Sequence, residues 1–179
     1  SVPDVLEGYG PLRMAAPGQI GKTARRGDEK ILSSLDAAVR AAGIADGATI
    51  SFHHHLRNGD GVMNAVLDAA ARAGLSGLHV AASSIFPVHA PLVDHIRSGV
   101  VAEISANFIS GPVAEAVSGG LLPRPVVLRT HGGRARAIAE GALRIDAAFV
   151  AAPAADAMGN ISGTEGPRAC GVLGYPQCD

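Results

Sequence analysis

From Asp28 to Ala151 the chain alternates short apolar runs with polar stretches punctuated by glycine. Ile31, Leu35, Val39 and Ala42, with Leu32 and Ala38 beside them, keep the three-and-four spacing of one helical face. Asp28 and Glu29 fall in the first turn of that predicted helix, where the helix dipole favours negative charge, and Gly43 supplies its stop. After the Asp46-Gly47 turn, Ala48–Phe52 reads as a buried strand. His53–Asp60 is polar, and Gly61–Ala73 is helical again, with Val62, Val66, Ala69 and Ala73 on one face and Gly74 behind it. Leu78–Ala82, Val100–Ile104, Val126–Thr130 and Ile145–Ala151 read as further strands. Helices are expected at Pro91–Arg97, Gly111–Val117 and Ala135–Glu140. Strand, loop, helix and glycine stop recur about every 25 residues, the signature of a parallel sheet with crossover helices. The strands read as continuous apolar runs, the pattern of strands covered on both sides. The expected fold is α/β, a mostly parallel sheet flanked by helices on both faces.

Ser1–Gly27 does not share this rhythm. Pro3, Gly8, Gly10, Pro11, Pro17, Gly18, Gly21 and Gly27 break it at intervals too short for an element. It is read as an irregular arm, locally basic at Lys22, Arg25 and Arg26, ahead of one α/β domain over residues 28–179.

Composition narrows the function. Among 179 residues 47% are hydrophobic and 17% charged, which argues against disorder. Aromatics are 3% and the net charge is −1, so there is neither a stacking platform nor a basic surplus for nucleic acid. The most apolar stretch, Ala147–Ala155, is short and holds Pro153, so no membrane span is expected. No secretory leader is visible at Ser1-Val2-Pro3-Asp4, and two late cysteines, Cys170 and Cys178, make no disulfide framework. A cytoplasmic location is expected.

In an open parallel sheet, ligands bind beyond the carboxyl ends of the strands. That rule selects three loops. The first, His53-His54-His55-Leu56-Arg57-Asn58-Gly59-Asp60-Gly61, leads into a helix whose free N–H groups attract anions. Gly59 and Gly61 allow close backbone approach, and Arg57 supplies charge for a carboxylate or phosphate. Adjacent histidines alternate sides in an extended chain, so a metal site at His53–His55 is the weakest option and none is predicted. The second loop is His131-Gly132-Gly133-Arg134, and the third carries Asp156 and Gly159-Asn160 in a turn pattern. His79, His89 and His95 read as satisfied structural groups, and Asp94 and Arg97 as a solvated face. Glu103, Glu115, Glu140 and Glu165 show no paired spacing from which acid–base chemistry follows.

Asp46-Gly47-Ala48-Thr49-Ile50-Ser51-Phe52-His53-His54, with Arg57, Gly59 and Asp60, resembles the α subunit of bacterial citrate lyase. So, in the same order, do Ala81-Ala82-Ser83-Ser84-Ile85, Thr130-His131-Gly132-Gly133-Arg134, Ile145-Asp146-Ala147-Ala148-Phe149 and Cys170-Gly171-Val172-Leu173-Gly174-Tyr175. The resemblance runs from about Ser34 to Tyr175. It implies a family I CoA-transferase fold of two similar α/β halves, of which this chain matches the first. It also implies exchange of acetate for citrate on a CoA-type thioester, either acetyl-CoA or a carrier-borne CoA-derived group. Partners would be the β subunit, which cleaves citryl-thioester, and the γ subunit, the acyl carrier, in an oligomer. The catalytic glutamate of related transferases belongs to the second half, so no catalytic residue is assigned. His53, His54, Arg57, Asn58, Gly59, Asp60, Gly61, His131, Gly132, Gly133 and Arg134 are the expected substrate-binding residues. The alternatives are a non-catalytic assembly half-domain and a sugar-phosphate isomerase-like domain.

Overall fold

The computed structural model describes residues 5–6, 10–11, 30–53 and 57–164. Its centre is a five-stranded, all-parallel sheet made of β3 (Thr49–His53), β4 (Leu78–Ala82), β5 (Val101–Ala106), β6 (Val127–Leu128) and β7 (Ala147–Val150). The spatial order is β6-β5-β4-β3-β7. Two minor ladders flank it in sequence: β1 (Val5–Leu6) pairs antiparallel with β2 (Gly10–Pro11), and β8 (Ala154–Ala155) with β9 (Ile161–Ser162). The first of these lies in the stretch read from sequence as irregular.

The helices follow from the order of the strands. α1 (Leu35–Ala41) precedes the sheet, while α2 (Val62–Arg72), α3 (Leu92–Arg97) and α4 (Pro112–Ser118) join β3 to β4, β4 to β5 and β5 to β6. These steps all run in one direction, so crossovers of one hand stack their helices on one face. α5 (His131–Ala139) carries the chain back from β6 to β7 and must lie on the other face. The core agrees. Val39, Val66, Leu67, Leu92 and Val113 share a buried cluster with Ile50, Phe52, Val80 and Ile104. Ala137 of α5 packs instead with Ala81 and Leu143.

The two faces of the sheet differ in chemistry, which corrects the reading of its strands as continuous apolar runs. Ile50 and Phe52 point into the large cluster, whereas Thr49, Ser51 and His53 alternate with them. In register beside them stand His79 and Ala81 on β4, and Glu103 and Ser105 on β5. One face is thick and apolar; the other is small and polar.

Three boundaries differ from expectation for local reasons. α1 starts at Leu35, because the Ser34 side chain accepts a hydrogen bond from the Ala37 N–H and caps the helix there. Ile31 and Leu32 lie ahead of it, 63% and 50% exposed. α5 starts at His131, not at Ala135, because Thr130 Oγ1 accepts from the Gly133 N–H at 3.0 Å. The strand expected over Val126–Thr130 is only Val127–Leu128, since Thr130 is spent as that cap. Elsewhere α2 stops where expected, with Gly74 at φ 78°.

Candidate functional site

β3 is the point where the strand order reverses: β4 lies on one side and β7, the last strand of this sheet in sequence, on the other. His53 ends β3, opposite Val150 of β7, and is 8% exposed. From there the chain reaches the 3-10 turn Arg57–Gly59 and then Asp60 and Gly61, the N-cap of α2. His54 and the Arg57 side chain lie outside the described residues. Asn58 is exposed, and its Oδ1 accepts from the Val88 N–H at 3.0 Å. Asp60 is fully buried, and its Oδ1 accepts from the Val62 N–H at 3.0 Å. That bond caps the first turn of α2, which Gly61 has no side chain to do.

The second glycine segment is the first turn of α5. His131 and Gly132 are exposed, and a Cβ on Gly133 would come within 2.9 Å of Thr130 Oγ1. Arg134, 7% exposed, points inward and donates from its guanidinium to Ser51 Oγ at 2.7 Å. The structure thus ties Arg134 to the strand that ends in His53, two residues before its tip. The third loop is the turn between β8 and β9. Asp156 accepts there from the Asn160 side chain at 2.7 Å and from the Met158 and Asn160 N–H groups at 2.9 Å. Those bonds, that of the Asn160 side chain first, hold the Asp156 carboxyl below the usual carboxylate range.

Sequence reasoning passed over the polar face of the sheet. His79 Nε2 lies 2.9 Å from Ser105 Oγ and its Nδ1 3.4 Å from Thr49 Oγ1. Arg129 donates to the same Ser105 hydroxyl at 3.3 Å, and Arg124 pairs with Glu103. Asn107, at the tip of β5, donates to the Arg129 carbonyl at 2.9 Å and fixes the start of the β6–α5 connection. The signal was the period-two alternation Thr49-Ile50-Ser51-Phe52-His53. Burial pushes the His79 pKa down; Glu103 raises it, and Arg129 and Arg134 lower it further. Its ordinary value is 6.5, so above that pH folded and unfolded chains both hold it neutral. As pH falls through 6.5 the unfolded chain takes up the proton first, and stability drops. His79→Gln is therefore expected to flatten the loss of stability between about pH 7.5 and about pH 5.5. Paired urea denaturation of the two proteins measures this, and parallel curves would refute it.

No helix among the described residues is long and apolar enough to cross a membrane. Among them, too, no cluster of three or more His, Cys, Asp or Glu side chains is placed to hold a metal ion.

A doubly wound α/β protein is thereby defined, with polar and glycine-rich segments at the carboxyl edge of its strands. Residues 28–179 match the family model described as citrate lyase, alpha subunit (CitF). The citrate lyase alpha chain of Escherichia coli (strain K12) is 43% identical over 164 residues, covering 92% of this chain and 32% of that protein. That of Klebsiella pneumoniae is 39% identical over 178 residues, covering 99% and 35%. Among solved structures, the chain superposes with a TM-score of 0.84 and 49% identity on a protein described as the alpha subunit of citrate lyase in complex with citrate, from Streptococcus mutans. That match covers 88% of this chain and 31% of the other. The chain belongs to the citrate lyase alpha subunit family. It spans about a third of the length of the curated relatives it matches.

Proposed function

We propose that the chain supplies the substrate-binding part of a citrate lyase alpha-type transferase, with residues 28–179 as its first α/β half-domain. The reaction is acetyl-thioester plus citrate to citryl-thioester plus acetate, on an acyl-carrier or CoA thioester. A carboxyl carbon of citrate ends bonded to the sulfur, and one of its oxygens leaves with the displaced acetyl group as acetate, so the exchange needs neither oxidant nor added water. The observation that carries the reading is the linkage of both glycine segments to β3, through His53 at its tip and Arg134 on Ser51. Citrate bound to the Streptococcus mutans relative supports citrate as the ligand, and family membership weighs against a sugar-phosphate isomerase.

Citrate is a polyanion near neutral pH, and what it needs is charge-assisted donors in a partly dry site. Arg57, the N–H groups of Asn58–Gly61, His53, His54, His131 and the Gly132-Gly133-Arg134 turn are the groups assigned to it or to the phosphates of the carrier's CoA-derived arm. Each bond to an ionised partner contributes about 1.5–3 kcal/mol, so two or three orient the acid beside the thioester. Asp60, buried as a helix cap, acts by shaping the loop. The catalytic carboxylate is assigned to the second half found in longer family members. The lyase β subunit and the carrier γ subunit are the partners, in a cytoplasmic oligomer.

Citrate at about a hundred times its Kd is expected to stabilise the chain by about 2.7 kcal/mol, which raises Tm by about 5–10 °C. Arg57→Ala combined with Arg134→Ala removes that rise. A thermal melt against citrate, acetyl-CoA and an unrelated carboxylate checks it, and no response to any of them would sink the reading. Silence toward ligands together with self-association in light scattering would favour an assembly half-domain instead. The exposed edge strand β6, with Leu128 63% exposed, is the observation on that side.

A further inference from the structure

We propose that His89 is a positioning residue: through one hydrogen bond to the Asp60 carbonyl it holds the turn that opens α2, and so sets the anion affinity of the loop after β3. This rests on the reading of that loop as the citrate site.

His89 is fully buried at the end of the 3-10 turn Pro87–His89, which follows β4. Both ring nitrogens have backbone partners of opposite polarity. Nδ1 lies 2.9 Å from the Phe86 nitrogen, and a backbone N–H only donates, so Nδ1 carries no proton. Nε2 lies 3.0 Å from the Asp60 carbonyl, which only accepts, so Nε2 carries the proton. The two bonds together select one neutral tautomer.

The partner at Nε2 matters because of what surrounds it. Two further bonds join the same segments: Val88 N–H to Asn58 Oδ1, and Asn64 Nδ2 to the Val88 carbonyl at 2.9 Å. Both end on Val88, one before the turn and one inside α2. His89 reaches the Asp60 backbone itself, where the chain bends into the Gly61 cap. The platform under His89 is itself fixed. Ile85 N–H donates to the Phe108 carbonyl at 2.7 Å, Ser110 N–H to the Ile85 carbonyl at 2.9 Å, and the Phe86 ring lies 5.9 Å from that of Phe108. Residues 58–64 therefore hang on the strand-end segment by side-chain bonds from Asn58, Asn64 and His89, and His89 holds the one at the bend.

Two substitutions separate the ring's two roles. The amide oxygen of His89→Asn stands near the place of Nδ1 and keeps the Phe86 bond, but its reach falls short of Asp60. The amide nitrogen of His89→Gln stands near the place of Nε2 and restores donation to the Asp60 carbonyl. Amide hydrogen exchange over 57–64 and the citrate dependence of Tm are read in both. His89→Asn is expected to speed exchange in 57–64 without changing β4 or β5, and to weaken citrate about tenfold; His89→Gln recovers most of both. Unchanged exchange in His89→Asn, or a lowered Tm in both variants with citrate affinity untouched, overturns the proposal. A wild-type chain that ignores citrate defeats the citrate reading instead, and the exchange comparison still decides whether His89 holds the turn. Should His89→Asn not fold, the wild-type ring is read by nitrogen NMR. An Nε2-protonated ring whose signal moves on citrate addition supports the role, and one that does not move overturns it.

Discussion

Phe52→Ala is expected to lower the unfolding free energy by about 3–5 kcal/mol. Phe52 is 1% exposed, the largest of the fully buried side chains among the described residues, and sits on β3, an interior strand of the sheet between β4 and β7. Its ring stacks on Phe149 of the neighbouring strand at 6.0 Å, in a chain with only four phenylalanines. The cost falls at the upper end because of what else the cluster holds. Ala69, Ala70, Ala82 and Val66 have little or no freedom to swing into a void, so the cavity persists. Urea denaturation measures it, with a lower midpoint at an unchanged slope. A loss below about 1 kcal/mol would mean that the layer between β3 and its helices is far looser than drawn.

Gly111→Ala has the second largest expected effect, about 3 kcal/mol. Gly111 takes φ 68° and ψ −152°, a region essentially closed to residues with a Cβ. An added Cβ would stand 3.0 Å from Pro87 Cγ and 3.1 Å from Pro87 Cα. One of these atoms is backbone and the other belongs to a closed ring, so neither gives way cheaply. Pro87 opens the turn that ends in His89, so the damage is expected to reach the loop after β3 as well as the global stability. The same denaturation experiment reads the first part. Faster amide exchange over 57–64 reads the second, and a variant as stable as the parent would refute the assigned backbone geometry.

The framework was legible because glycine and apolar spacing carry it. Leu78–Ala82 was placed to the residue, and β3 and α2 to within one, since each run is bounded by a turn or glycine. What failed were the places where one hydroxyl decides. Ser34 and Thr130 cap helices whose starts were set by apolar periodicity in one case and by a glycine pair in the other. Ile31 and Leu32 fit the helical stripe yet lie outside the helix, because periodicity records a face and not where it ends. The site was half visible. The loops His53–Gly61 and His131–Arg134 stood out by composition, but the tie from Arg134 to Ser51 spans 83 residues and no local pattern encodes it. His89 read as a satisfied histidine, which it is; that one of its partners is the Asp60 carbonyl required the fold.

The strand order also fixes when the sheet can be finished. β3 is the first of the five strands to leave a ribosome, and one of its neighbours, β7, is the last. Asp146, which accepts the Thr49 N–H at 2.8 Å, follows it by 97 residues. Until Ala147–Val150 has been synthesised, β3 has one flank unpaired, and the nascent chain presents that flank to any passing extended segment. That pairing, closed across 97 residues, is the longest-range step the sheet has to make before its last strand docks.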